Sequence, residues 1–394
     1  MSSLSRMTGA GAILLGTLIV GACAPKVSTQ GSATSSGTTT TAQGNVDPAQ
    51  PVKLALMIPL SAQQQSAAQL GRALSNAAQM AMKEVGDPKL TLAVYDTGGN
   101  PSKARAVAEQ AIREKAALFI GPLLGSSTKA VAAPAAKGGL KVISFSTDTT
   151  AAGDPVYLSG FAPETAARRV VGYARSQGYG QLGVFYPQTA YGAQAIKGAQ
   201  AAGAGAIVAS TQYPRTNEGL PPAATSFAQQ VQTSGARAVL LAESGQALGF
   251  VGGLMAQNGV RNVKYLGLGE WNSPATLAAR PIRGGWFAAP DPRALRSFVE
   301  KYQASYGNVP PSLAVLSYDA VKIAAQMVRE ARANGNRSPF STQSLTRGGG
   351  FRGAVGPIRF NPNGTASRAM AILEVGERTF RTIDPAPVNL GAGS

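Results

Sequence analysis

Three hydroxyl side chains stand together at Ser126, Ser127 and Thr128 in the stretch ALFIGPLLGSSTKAV, where an apolar run stops at Gly-Pro and an apolar helical pattern begins. Unpaired N–H groups at a helix start, with hydroxyls beside them, make a cradle for an anionic group. The same residue types also serve as plain helix caps, so both roles stand open. Carboxylates form the second set of chemically useful groups: Asp96, Asp148, Glu243 and Glu270 close apolar runs or follow them. Paired carboxylates support hydrolysis, but nothing in the spacing of these four shows a pair, and no catalytic residue is assigned. The chain has no histidine and one cysteine, Cys23. That excludes a Ser-His-Asp triad, an HExxH site, an internal disulfide and a cysteine-based zinc site. Neither a metal nor a cofactor is implied, and binding is favoured over catalysis.

The elements that must position these groups follow from the hydrophobic pattern. Short apolar runs such as VKLALMIPLS, LTLAVYD, AALFIGP and LKVISFSTD are each followed by a turn, and most lead into an amphipathic helical stretch. The alternation resumes with QLGVFYP, AIVASTQYP, ARAVLLAE and VKYLGLG. This is the signature of βαβ units and parallel sheets, hence an α/β protein. At 394 residues the chain is long enough for two domains of roughly 150 residues each. GGWFAAPDPR at 284–293 reads as a low-complexity stretch, and the segment from GGGFRG onward looks antiparallel, with a turn at 361–364. In open parallel sheets ligands sit outside the carboxyl ends of the strands, so two wound lobes would leave a cleft between them.

Lys and Arg number 36 against 19 Asp and Glu, a formal charge of +17. Such a balance favours anionic surroundings such as phospholipid headgroups or cell-wall polymer. The basic residues stand singly or in pairs such as Arg168-Arg169, with no run that would track a phosphate backbone, so no nucleic-acid partner is expected. RGGGFRG at 347–353 invites an RNA-binding reading, but a single such repeat reads better as a hinge loop.

Residues 1–22 carry Arg6, an apolar stretch from Ala10 to Val20 and then small residues, the layout of an export signal too short to span a bilayer comfortably. Cys23 directly follows VGA, and this resembles a bacterial lipobox, which implies lipidation of Cys23 and a membrane anchor. The Ser/Thr/Gly-rich stretch to residue 50 lacks the apolar residues needed to pack and is expected to be a flexible linker. Ala24 and Pro25 stand where an inner-membrane retention signal would show Asp, which favours the outer membrane where the organism has one.

The order of elements, together with IGPLLGSSTKAVAAPAA, VISFSTD, TAYGAQA, YLGLGEW and SYDAVKIAAQ, resembles the type I periplasmic solute-binding proteins of the leucine/isoleucine/valine-binding family. The resemblance implies two doubly wound parallel-sheet lobes, three crossovers and a cleft that closes about a hinge without catalysis. Its lobe boundaries would be 51–161 with 290–350, and 162–289 with 351–386, leaving 387–394 as a tail. It also implies that Ser126, Ser127, Thr128, Ser146 and Thr147 hold the carboxylate of an amino-acid-like ligand. Tyr191 would cover that ligand and Glu270, with Glu243 as a rival, would hold its ammonium; Trp271 would supply an apolar wall. The chain departs from the family where a serine is replaced by Gly125 and where Gln63, Gln64 and Gln65 stand in place of an aromatic. The implied partner is an ABC permease in amino acid transport. FSTDTTAAGDPVYLSGF and IDPAPVNL look closer to lipoproteins similar to the penicillin-binding-protein activators, so the alternative partner is a peptidoglycan synthase.

Overall fold

The computed structural model describes residues 47–390. The expected signal peptide, Cys23, most of the expected linker and the last four residues lie outside the described residues.

The first sheet is wholly parallel, in the order β2-β1-β3-β4-β5, with β1 (Val52–Ile58), β2 (Leu90–Asp96), β3 (Ala116–Ile120), β4 (Lys141–Ser144) and β5 (Val156–Leu158). Its inner strands read as unbroken apolar runs because helices cover both faces, and all five residues of β3 are buried. Helices α1 (Gln65–Val85), α2 (Pro101–Arg113) and α3 (Gly125–Lys137) connect them. The second half continues with α4 (Pro163–Ser176), β6 (Leu182–Pro187), α5 (Ala190–Gly203), β7 (Ile207–Tyr213), α6 (Leu220–Ser234), β8 (Ala238–Leu241), α7 (Gly245–Gln257), β9 (Lys264–Gly267), α8 (Pro274–Ala278) and β10 (Trp286–Ala289). Helices α9 (Pro292–Tyr306), α10 (Val315–Asn334) and α11 (Thr342–Leu345) come next. The chain ends in β11 (Phe351–Gly353), β12 (Gly356–Phe360), β13 (Ala366–Arg368), β14 (Ala371–Val375) and β15 (Phe380–Asp384). The second sheet runs β15-β14-β10-β9-β8-β6-β7, parallel except for the antiparallel β14 and β15.

Four features differ from the sequence reading. GGWFAAPDPR is not a low-complexity connector: its WFAA is the buried strand β10. Strands β11–β13 belong with the first lobe, not the second, because Phe351, Val355, Ile358 and Phe360 pack into the core built on β1, β3, α1 and α10. The chain therefore crosses between lobes at 159–162, 290–291 and 369–370, and RGGGFRG lies inside the first lobe rather than at a hinge. The linker also ends before residue 50, since Pro48 is buried with its carbonyl bonded by Arg332, and Lys89 Nζ donates to the Ala49 carbonyl at 3.1 Å. The expected turn is present, with the Gly364 N–H donating to the Asn361 carbonyl at 2.9 Å.

Among the described residues no helix is long and apolar enough to cross a membrane, and no group of three or more His, Cys, Asp or Glu side chains is placed to hold a metal ion.

Candidate functional site

The carboxyl ends of β3 and β4 face those of β6 and β9 across a cavity of about 860 Å³. Leu70, Leu123, Phe145, Phe161 and Leu313 make much of its wall apolar. This volume lies near the top of the roughly 300–1,000 Å³ range of small-molecule sites.

Of the three hydroxyls at the start of α3, only Ser126 lines the cavity. Successive helical residues point about 100° apart, so Ser127 and Thr128 turn inward and are buried. Thr128 Oγ1 donates to the Leu124 carbonyl at 3.0 Å and lies 2.8 Å from Ser144 Oγ. These two residues are corrected from ligand contacts to packing residues. None of the three is a cap: Leu124 occupies that position and no side chain caps the helix. The start of α3 is therefore without a side-chain cap, and Leu124, Gly125 and Ser126 line the cavity.

Gly125 explains the missing serine. A side chain there would place its Cβ 2.8 Å from both Cβ and Oδ2 of Asp148, so the space a family serine would occupy is filled by an acidic side chain. Asp148 lines the cavity and pairs with Lys129 at 2.8 Å. Burial works against its charge, but Lys129 and Thr150 outweigh it and hold the carboxyl below its ordinary pKa. Ser146 and Thr147 also line the cavity, with Ser146 Oγ accepting from the Asp148 N–H at 3.0 Å.

The second lobe contributes Tyr191 from the first turn of α5 and Glu270 from the single turn Gly269–Trp271 that follows β9. The structure joins them: Tyr191 donates its hydroxyl to Glu270 Oε2 at 2.7 Å. Glu270 is exposed on the cleft wall, and no cation among the described residues pairs with it. Burial raises its pKa, and the Tyr191 hydrogen bond opposes that shift. Burial and then the Glu270 charge push the Tyr191 hydroxyl well above its ordinary value, so it remains a donor.

Glu243 is not in the cavity wall. It is 4% exposed and accepts from Tyr213 at 2.8 Å, Arg215 at 2.7 Å and the Ser244 N–H at 3.0 Å. Its charge is consumed inside the second lobe, which removes it as rival to Glu270. Trp271 is likewise internal, fully buried with its indole N–H donating to the Glu243 carbonyl at 3.0 Å.

Gln194 is not singled out by the sequence reading, and Asp148 enters it only as a possible hydrolytic carboxylate, not as a cleft residue. Gln194 stands three residues after Tyr191 on α5, the spacing that shares a helix face, so the signal was present. It lines the cavity, and its Nε2 donates to the Thr147 carbonyl at 2.9 Å, a bond between the two lobes.

A raised folded-state pKa means that Glu270 favours folding below its unfolded value and loses that contribution as pH rises through the folded value. Glu270→Gln, which keeps an acceptor for Tyr191, is therefore expected to melt higher than the parent at neutral pH without ligand. The gap should close near about pH 4, where the carboxylic acid is largely neutral in both states. Calorimetric scans at the two pH values check this; equal melting temperatures at neutral pH would mean that the carboxylate is fully solvated.

A family model described as periplasmic binding protein matches residues 51–379. No curated protein matches the chain in a sequence search. Among solved structures, the chain is similar to a putative branched-chain amino acid ABC transporter protein from Rhodospirillum rubrum. The two share 18% identity over 84% of this chain and 99% of that one, with a TM-score of 0.73. It is also similar to a solute-binding protein of an ABC transporter from Rhodopseudomonas palustris in complex with 3,4-dihydroxybenzoic acid, at 18% identity, covering 87% and 99%, with a TM-score of 0.63. A leucine-binding protein from Thermotoga maritima matches at 19% identity over 84% and 97%, with a TM-score of 0.60. At these identities the likenesses establish the two-lobed fold. The peptidoglycan-synthase alternative draws no support from them.

Proposed function

The chain belongs to the periplasmic binding protein family, and from that premise we propose that it captures a small amino-acid-like solute in the cleft and delivers it to an ABC importer. The observation that carries this reading is Glu270. A carboxylate with no cationic partner among the described residues faces an apolar cavity and is oriented by Tyr191 from a neighbouring element. An anionic group so placed attracts a cation entering the cleft, and a ligand ammonium supplies one. Ser126, Ser146, Thr147 and Gln194 lie on the same cavity to orient the rest of the molecule. The protein acts by binding and closure, with no catalytic role. Export and tethering through a lipidated Cys23 would hold it at the membrane beside the permease, and relatives described as binding amino acids or aromatic acids support the solute class in general terms.

The test is a thermal-shift screen against amino acids, their amides, simple amines and aromatic acids, since a ligand that binds only the folded state raises the melting temperature. Hits are expected, and Tyr191→Ala should weaken them roughly 10-fold or more by removing the hydroxyl that orients Glu270. If no compound stabilises the protein and deletion of the gene leaves solute uptake unchanged, the capture role is wrong.

A further inference from the structure

The charges on the cleft wall restrict the ligand more narrowly than the fold does. Within the family resemblance, the first-lobe loop would hold a ligand carboxylate at the start of α3. Here that corner holds a carboxylate of the protein itself: Asp148 lies against Gly125, so close that even a Cβ on Gly125 would collide with it. The partial positive charge of the helix start is thus matched by Asp148 from within. Lys129 is committed to Asp148 and does not line the cavity, and among the described residues no lysine or arginine lines it. On the facing lobe Glu270 carries the second carboxylate, without a cation. A ligand carboxylate therefore meets the ion-paired Asp148 on one wall and the unpaired Glu270 on the other, with no cation on the described cavity lining to receive it, although the chain as a whole is strongly basic.

The remaining polar groups are neutral. Gln194 is 7% exposed, and while its Nε2 is bonded across the lobes, its Oε1 has no partner among the described residues. This is an acceptor without a donor on a residue of the cavity wall. The uncapped N–H groups at Gly125 and Ser126 are donors suited to an uncharged carbonyl once Asp148 has taken the anionic position.

We infer that the cleft selects an amine with an apolar body and an uncharged hydrogen-bonding group in place of a carboxylate, such as an amino-acid amide, and rejects free amino acids and aromatic acids. The inference rests on the capture role proposed above. Glu270 and the Tyr191 ring take the ammonium end, the leucine and phenylalanine side chains take the body, and the start of α3 with Ser126 takes the neutral carbonyl.

The experiment uses the full chain and a matched set with one aromatic body: 2-phenylethylamine, L-phenylalaninamide, L-phenylalanine and 3-phenylpropionate, each titrated by calorimetry. Expected is measurable binding of the amine and the amide, with the amide tighter, L-phenylalanine at least about 10-fold weaker than the amide, and no binding of the acid. Glu270→Gln should weaken the amide roughly 10- to 150-fold by removing a charged hydrogen-bond partner. Asp148→Asn should narrow the gap between L-phenylalanine and its amide, with circular dichroism confirming the fold. Binding of the acid or the amino acid as tightly as the amide overturns the inference while leaving solute capture standing. Silence from all four compounds also overturns it, and the uptake measurement above then decides separately whether capture itself fails.

Discussion

Asp319→Ala is expected to destabilise the protein by about 3–5 kcal/mol, the cost of leaving a buried charge without its partner. Asp319 on α10 and Arg368 at the end of β13 are 1% and 3% exposed, and Asp319 Oδ2 lies 3.3 Å from Arg368 Nη1. Asp319 Oδ1 also accepts the Ala354 N–H at 2.7 Å. Burial pushes the Asp319 carboxyl up and the Arg368 guanidinium down, and each group's charge opposes the shift of the other. Removing one partner leaves a guanidinium and an amide N–H that water cannot reach. The pair also sits at the hinge, since Arg368 immediately precedes the crossover at 369–370, and its Nε donates to the Ser159 carbonyl, where the first crossover begins, at 2.8 Å. Denaturant titration followed by circular dichroism measures the loss. The double variant Asp319→Leu with Arg368→Met should recover much of it, because apolar replacement of both partners removes the desolvation problem. A loss below about 1 kcal/mol for the single variant would place the pair among weak surface bridges.

Trp271→Ala is expected to cost a similar about 3–5 kcal/mol, this time in the second lobe, where a large fully buried ring leaves a cavity behind. The indole occupies space reserved by Gly267, whose hydrogen points into the ring: a Cβ there would lie 2.0 Å from it. Its N–H donates to the Glu243 carbonyl and its ring lies 6.3 Å from that of Phe287. Trp271 immediately follows Glu270 in the same turn. Losing the indole should therefore weaken ligand capture as well as folding, whereas Trp271→Phe keeps part of both. Both tryptophans of the chain, Trp271 and Trp286, pack in the second lobe, so intrinsic fluorescence follows that lobe and circular dichroism follows the whole. Loss of fluorescence cooperativity with unchanged ligand affinity would separate the ring's packing role from any hold on Glu270.

Much of the fold could be read from the sequence because its signals are local. Continuous apolar runs of four to seven residues announce strands buried on both faces, and their alternation with helical periods dictates parallel sheets. The errors arose where local pattern is silent about destination. Strands β11–β13 look like any antiparallel ribbon, and only the docking of Phe351 and Phe360 on the first-lobe core assigns them. WFAA is short and flanked by Gly and Pro, and only its pairing between β9 and β14 makes it a central strand.

The candidate site was legible in part. Tyr191 and Glu270, named separately by the family resemblance, meet on the cavity wall, and their hydrogen bond was not visible in a separation of 79 residues. Glu243 and Glu270 each follow a second-lobe strand, and only the family resemblance put Glu270 first with Glu243 as its rival. Packing separates them, because Arg215 and Tyr213 close over the first and no cation among the described residues pairs with the second.

By itself the sequence determined the layered α/β plan, the absence of histidine and cysteine chemistry in the body, and the loops from which ligand contacts would come. Tertiary structure alone decided which side chains on those loops line the cavity. The physical reason is geometric: neighbouring helical residues point about 100° apart, so Ser126 reaches the cleft while Ser127 and Thr128 face the core. The same holds for Gly125, whose missing side chain reads as a lost contact in one dimension. In three it is the space through which Asp148 places a negative charge at the helix start.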